Sequence, residues 1–331
     1  MGRLIDLSWR GPGVHVDAIA ELADEQNPQL CEDFWGCLPF TVLQDHPVVS
    51  GESVYCWVPL VSTAPVRVKE RINEAPPGRI RYSQNTGNKI VIQYGKALEP
   101  IATPVLGRVL PESLSRLPVV GKAVWESTFQ NKELIWVTVS RHGEPTGAKR
   151  ASNRAGLKHE VARRFAAEAE RILTTEPEDM RALRLGLVES AGSFGQYFST
   201  WEIANGMVRD YIMYTIYPLL RLCDTLTPQQ IAASLDAFVP PYSGYLGYSG
   251  FVTLERLSDE LREAMHKAND AGEAVELLKG FLLYGNRLSS WAFHYFPWYL
   301  GIFFKRVHHE YGDSMPGRWS FEGPEPNSMT K

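Results

Sequence analysis

Up to about His142 apolar and polar residues largely alternate, whereas from about Leu157 onward the apolar ones recur at intervals of three and four. Alternation marks a strand with one buried face, and the longer spacing marks a helix with an apolar stripe. The pattern predicts an α+β chain in which a β-rich domain precedes an all-helical one. Leu4 to Trp9 and Gly13 to Leu22 read as strands around the turn Arg10-Gly11-Pro12-Gly13. Asn27 is placed as an N-cap, with Pro28 at the first helical position, where a missing N–H costs nothing. Leu30, Cys31, Phe34, Trp35 and Leu38 give that helix one apolar face, and Pro39 ends it. Phe40 to Leu43 and His46 to Leu60 are strand-like in composition.

Arg79 to Gly95 alternates on both sides of an Asn/Gly turn and is predicted to be a β-hairpin. Ile80 and Tyr82 share one face of it, as do Ile90, Ile92 and Tyr94, while Arg81 and Gln93 fall on the opposite faces of their strands. A helix follows Pro111 to about Ser127, and Glu133 to Ser140 returns as a strand.

Residues 143–156 turn to Gly, Pro, Ser, Asn and basic side chains without periodicity, as a linker does. The boundaries expected are therefore 1–142 for the first domain, 157–312 for the helical bundle and 313–331 for a Gly- and Pro-rich tail that frays. Within the bundle, helices are expected over His159 to Thr174, Met180 to Cys223 with breaks, Leu254 to Lys267, and Glu273 to Lys305.

At 331 residues the chain is long enough for two cores, and 44% hydrophobic with 22% charged residues is the balance of globular proteins. A net charge of −4 gives no basic field for nucleic acid. The start of the chain lacks an unbroken apolar segment, so no signal peptide is expected and the compartment is read as cytoplasmic. Trp291 to Phe304 falls short of the about 20 apolar residues that span a bilayer, and Pro297 interrupts it. It is expected in the core or at a homodimer contact. Cys31, Cys37, Cys56 and Cys223 lack C-x-x-C spacing and read as free thiols, mostly buried.

Cofactor signatures are missing. Gly244 to Gly250 has the wrong spacing for a dinucleotide fingerprint and is placed between helices; no Walker A or G-x-S-x-G sequence occurs. His308-His309-Glu310 lacks a second histidine one turn on and is not expected to hold a metal.

Asn27 to Pro39, followed by His46-Pro47-Val48-Val49-Ser50-Gly51-Glu52-Ser53-Val54-Tyr55 and the Gly78 to Gly95 hairpin, resembles the cyclophilin-like β-barrel of the cucumopine/mikimopine opine synthases. Ser193 to Glu202 and Arg209 to Asp224 resemble the helical bundle that follows the barrel in that family. The resemblance implies a cofactor-independent Pictet–Spengler-type condensation. An amino acid with an electron-rich ring, histidine or tryptophan, joins a 2-oxo acid such as 2-oxoglutarate, or an aldehyde, through an iminium that the ring then attacks. No hydride is transferred.

Such chemistry needs a base for the ammonium and later for the ring proton. Glu52 is the first candidate, in a His/Ser/Gly/Glu/Tyr cluster at the start of a strand; the plainer reading is a surface salt bridge. His46 and Tyr55 can orient it or relay protons, and core packing suits each equally well. Both substrates carry carboxylates, so Arg79 or Arg81 is expected to capture one. Tyr82, Gln93 and Tyr94 can line the cleft, although both tyrosines run in phase with barrel-core isoleucines. In the bundle Trp201, Glu202, Arg209, Tyr214 and Tyr217 form a stripe that either packs internally or closes the pocket. The competing classes are a cyclophilin-like module that binds a peptide or metabolite without chemistry, and a scaffold with no pocket.

Overall fold

The computed structural model describes residues 2–48, 50–84, 87–144, 156–188 and 200–297. The expected linker centre, the Ser193 to Ser199 part of the bundle motif, His308-His309-Glu310, the end of the last helix and the tail lie outside the described residues.

Nine strands build the first half: β1 (Leu4–Gly11), β2 (Val14–Leu22), β3 (Phe40–Leu43), β4 (Gly51–Trp57), β5 (Lys69–Arg71), β6 (Arg79–Ser83), β7 (Lys89–Ala97), β8 (Ala102–Val109) and β9 (Trp136–Arg141). They form one curled antiparallel sheet of order β3-β9-β1-β2-β8-β6-β7-β4, with β5 on β8. Its two ends meet at a single bridge, where Asp45 and Tyr55 exchange backbone hydrogen bonds of 2.9 and 2.8 Å. Ile5, Leu7, Trp9, Ile80, Tyr82, Ile90, Ile92 and Val137 fill the inside, sealed by Phe34 of α1 (Pro28–Gly36) and Val120 and Val124 of α3 (Leu117–Glu126).

The sequence anticipates the hairpin and most strands but not β5 or β8, and the single helix expected after Pro111 is two, α2 (Pro111–Leu114) and α3. Pro104 and Gly107 interrupt the β8 pattern. Asn27 does not cap α1 with its side chain. Fully buried, it accepts from the Arg67 and Val68 N–H groups at 2.9 and 3.0 Å and donates to the Val68 and Val105 carbonyls at 2.9 and 2.7 Å. It supplies the backbone pairing that the loop before β5 cannot supply itself. Asn27→Ala is expected to cost about 2 kcal/mol, since buried backbone groups lose their partners; a urea unfolding curve that superimposes on the wild type would exclude that role.

The second half is helical: α4 (Glu160–Arg171), α5 (Glu178–Arg184), the run Glu202–Leu222 in which α6 (Val208–Asp210) and α7 (Tyr217–Leu222) alternate with wider π-type turns, then α8 (Pro228–Tyr248), α9 (Val252–Met265) and α10 (Ala271–Tyr295). α8 is the element the sequence reading misses, and it takes in Gly244 to Tyr248, which were placed between helices. The tandem Pro240-Pro241 breaks the helical reading, since each removes an N–H donor. A capping box starts the helix: Thr227 accepts from the Gln230 N–H at 3.3 Å, and Gln230 accepts from the Thr227 N–H at 2.9 Å. On α10, Gly280 lets the helix press against α4, since a Cβ there would stand 2.6 Å from the Ala162 carbonyl oxygen.

From Gly280 to His294 α10 is buried on every side, because it runs between the bundle core and β4. Polar contacts join the two halves. Asn286 donates to the Val58 carbonyl at 2.8 Å, Tyr217 to the Ser62 carbonyl at 2.8 Å, and Lys132 to the His294 carbonyl at 2.8 Å. All four cysteines are free, three buried and Cys37 partly so. Among the described residues no helix is long and apolar enough to cross a membrane.

Candidate active site

The sheet's alternation divides β4, β6 and β7 into two faces. Val54, Cys56, Ile80, Tyr82, Ile90 and Ile92 point into the barrel. Directly opposed residues of an antiparallel pair share a face, so the registers build three polar rows on the other side. Tyr55, Val91 and Arg81 make one, Trp57, Lys89 and Ser83 the next, and Ser53 with Gln93 a third. Bundle residues cover part of this face: the Phe293 ring of α10 lies 5.2 Å from Tyr55 and 5.7 Å from Trp57.

Arg81 is the anomaly. It is 1% exposed, yet its Nε, Nη1 and Nη2 have no hydrogen-bond partner among the described residues. Burial pushes its guanidinium down to about 10, against the opposing pull of Glu99 and Glu70. Buried charges are paired in native proteins because desolvation is so costly, so an unpaired guanidinium in a core marks a place where an anion belongs. Around it, Ser53 Oγ, Trp57 Nε1, Gln93 Oε1 and Thr103 Oγ1 are also buried without partners among the described residues. Ser53, Trp57 and Gln93 share the face of Arg81, and Thr103 stands two residues from its β8 partner Val105.

Lys89 stands one row away with its Nζ 4.7 Å above the Tyr55 ring and 5.0 Å above Trp57. Burial and then Arg209 push its ammonium down to about 8, while Glu99 and Asp45 oppose them. Burial also raises the Tyr55 phenol well above its ordinary range. Glu99, partly buried just beyond β7, is thus the carboxylate whose charge reaches both Arg81 and Lys89.

A second polar cluster lies at the bridge that closes the barrel. Asp45 and His294 are both fully buried, with Oδ1 and Nδ1 3.0 Å apart. Burial raises the Asp45 carboxyl, and His294, Lys132 and Lys89 counter that rise. Lys132, pushed down to about 8 by burial, donates to the Thr128 and His294 carbonyls.

The expected site residues separate into groups. Arg81, Gln93 and Tyr55 come together, with Arg209 reaching Tyr55 and Lys89 from the bundle. Arg79 does not join them, being held by Glu70 at 2.6 Å. Tyr82 and Tyr94 belong to the barrel core, where Tyr82 donates to Asn88 at 3.0 Å. His46 is buried against Trp125 and Phe129; its Nδ1 donates to the Pro47 carbonyl at 2.7 Å, and its Nε2 lies 2.9 Å from the Tyr94 hydroxyl. Glu52 stands at the register shift between Gly51 and Ser53, beyond the Ser53–Gln93 row, where it lies against Gly95 and its Oε2 accepts from the Lys96 N–H at 2.8 Å.

Trp201 and Tyr214 are 46% and 57% exposed, and Glu202 is exposed as well. Tyr217 anchors the bundle to the Ser62 carbonyl, and Arg209 pairs with Asp210 at 3.6 Å rather than internally with Glu202. The stripe fails as a unit because the wider turns around α6 shift the helical phase. The sequence reading missed Lys89, Glu99, Asp45 and His294. Lys89 was accessible to it, being in phase with Gln93; Asp45 and His294 are 249 residues apart and carry no local signal.

A cleft of about 910 Å³ opens elsewhere, lined by Asp6, Arg10, Asp17, Thr41, Glu112 and Arg116 among others. Its charges are largely satisfied, with Arg10 on Asp17 at 2.6 Å and Asp6 on His142 at 2.7 Å, so it lacks the electrostatic demand of the Arg81 face. Among the described residues no cluster of three His, Cys, Asp or Glu is arranged to hold a metal.

Residues 158–295 match the family described as the cucumopine synthase C-terminal helical bundle domain. A solved structure of McbB in complex with tryptophan superposes with a TM-score of 0.81 at 29% identity, covering 93% of this chain and 99% of that one. The hypothetical protein AF2241 from Archaeoglobus fulgidus covers 43% of this chain and 97% of its own at 17% identity, with a TM-score of 0.30 that carries no weight. No curated protein matches. The helical segment therefore matches the cucumopine synthase C-terminal helical bundle family, and the chain as a whole shares the fold of McbB.

Proposed function

We propose that the protein is a condensing enzyme that joins an aromatic amino acid, tryptophan first among them, to a 2-oxo acid or aldehyde by a Pictet–Spengler-type reaction. The observation that carries this reading is Arg81, a buried guanidinium with every nitrogen unpartnered, which a substrate carboxylate would complete in bidentate fashion. The likeness to McbB, whose structure was solved with tryptophan, favours that amine.

The reaction starts when the ammonium of the amino acid loses a proton. Its nitrogen attacks the carbonyl carbon, water leaves and an iminium forms; a ring carbon closes on it and a ring proton departs. Glu99 is the base we assign to both proton transfers, because its charge reaches Arg81 and Lys89 and no side-chain partner occupies it among the described residues. Glu52 is less suited, since the Lys96 N–H already holds its carboxylate beyond the Ser53–Gln93 row. Tyr55, Trp57 and Phe293 wall the site and shield the iminium from bulk water.

The test is incubation of the protein with tryptophan, or with histidine, and 2-oxoglutarate in the absence of any nicotinamide. A product with the summed mass minus one water supports the reading; tight binding of either substrate with no product would leave a binding module instead. Glu99→Gln is expected to fold normally and lose about 10²–10⁴-fold in kcat, whereas Glu52→Gln stays within a few-fold of wild type. The reverse ranking would return the base to Glu52.

A further inference from the structure

We propose that Lys89 forms a Schiff base with the 2-oxo acid and delivers it as a lysine imine to the amino group of the second substrate. This deepens the condensing reading and rests on it.

Two lysines lie close to Asp45, and their surroundings differ. The Lys132 ammonium is spent on two backbone carbonyls. The close partners of the Lys89 Nζ among the described residues are the ring faces of Tyr55 and Trp57. Ring faces hold a cation in place but accept no directed hydrogen bond from it, so the lone pair is released whenever the proton leaves. The groups that face Lys89 come from four elements: Tyr55 and Trp57 of β4, Arg209 of α6, Glu99 beyond β7, and Asp45 beyond β3. With its ammonium pushed down to about 8, close to half of Lys89 is free amine at that pH, which is the nucleophilic form.

Arg81 supplies the orientation. Val91 is its partner on β7, so Lys89 is its diagonal neighbour on the same face, about 7–8 Å away at the backbone. From there two long side chains can converge on adjacent atoms of one small acid. The guanidinium takes the carboxylate of the 2-oxo acid and the lysine nitrogen meets the carbonyl carbon beside it.

The step balances without any redox partner. The Lys89 amine adds to the carbonyl carbon, its two protons leave with the carbonyl oxygen as water, and a C=N bond replaces C=O. The amine of the amino acid then adds to that carbon and expels the Lys89 amine, which leaves the substrate iminium ready for ring closure. Protonated on nitrogen, the lysine imine is more electrophilic than the ketone it replaces, which is the gain from the extra step, and its positive charge passes to the substrate iminium when the neutral Lys89 amine leaves.

The experiment is reductive trapping of the full-length protein. The wild type is treated with 2-oxoglutarate and sodium cyanoborohydride without any amino acid, and its peptides are mapped by mass. One reduced adduct at Lys89 is expected, with acetaldehyde, which offers Arg81 no carboxylate, labelling it much less. Lys89→Arg keeps the charge over the rings but cannot form the imine, so condensation is expected to fall by about 10²-fold. Labelling spread evenly over surface lysines, or full condensation by Lys89→Arg, would overturn the proposal. Condensation without an adduct removes the lysine imine alone; an adduct without condensation retains it and removes the condensing reading instead.

Discussion

Arg81→Met is expected to make the protein more stable and nearly inactive at once. The guanidinium is 1% exposed and unpartnered, so the free protein carries the cost of a desolvated charge that nothing compensates. Burial depresses it to about 10, which places that cost on the order of 3 kcal/mol. Methionine fills similar space with no charge, and a gain of roughly 1–3 kcal/mol in unfolding free energy follows. Catalysis moves the other way. Removing one partner of a buried hydrogen-bonded charge pair costs about 2–5 kcal/mol, so kcat/KM should fall by about 10²–10³-fold. Arg81→Lys should restore little, because an ammonium cannot reproduce two parallel N–H bonds to a carboxylate. Chemical denaturation and steady-state kinetics on the same preparation decide it. A variant that loses activity together with stability would make Arg81 a structural residue, and the proposed substrate pocket would lose its anchor.

His294→Ala should instead loosen the junction between the two halves. Asp45 and His294 are both fully buried, and the bond between them ties the closing bridge of the barrel to the end of α10. Deleting the histidine leaves a buried carboxyl with Lys132 and Lys89 as its nearest compensation, and breaking such a pair costs about 3–5 kcal/mol. The pH dependence follows from linkage. Burial raises the Asp45 carboxyl in the folded state above its value in the unfolded chain, so the folded variant holds a proton that the unfolded one has released. Stability is then lost as pH rises, and the deficit of His294→Ala should be larger at pH 8 than at pH 5. Asp45→Asn on that background removes the stranded charge and should recover part of the loss. A deficit that is small and independent of pH would mean that the pair contributes packing and no electrostatic clamp.

These two residues also show how far the sequence reached. Arg81 was accessible from alternation alone, since Ile80 and Tyr82 are barrel residues and the position between them must face the other way. The same alternation placed Lys89, Val91 and Gln93 on one side of β7, so half of the site was present in a single hairpin. Glu52 was attractive for its neighbours in sequence, but the register of β4 shifts between Gly51 and Ser53, and that irregularity sets it beyond the rows of Ser53 and Tyr55. Its neighbours in space are Gly95 and Lys96. Pro240 and Pro241 misled in another way: two helix-breaking residues sit inside a helix that a capping box and a buried stripe of Ile231, Leu235, Val239 and Leu246 hold together.

By itself the sequence determined that strands come first and helices second, and which positions of the hairpin face a core, because periodicity is a local property of the chain. It also carried the likeness to the cucumopine synthase bundle. Tertiary structure alone decided that Arg81 is buried without a partner, that Glu99 reaches both Arg81 and Lys89, and that Asp45 meets His294 across 249 residues. The physical reason is that desolvation and charge pairing depend on what the folded chain brings within a few ångströms, and spacing along the sequence does not encode that distance.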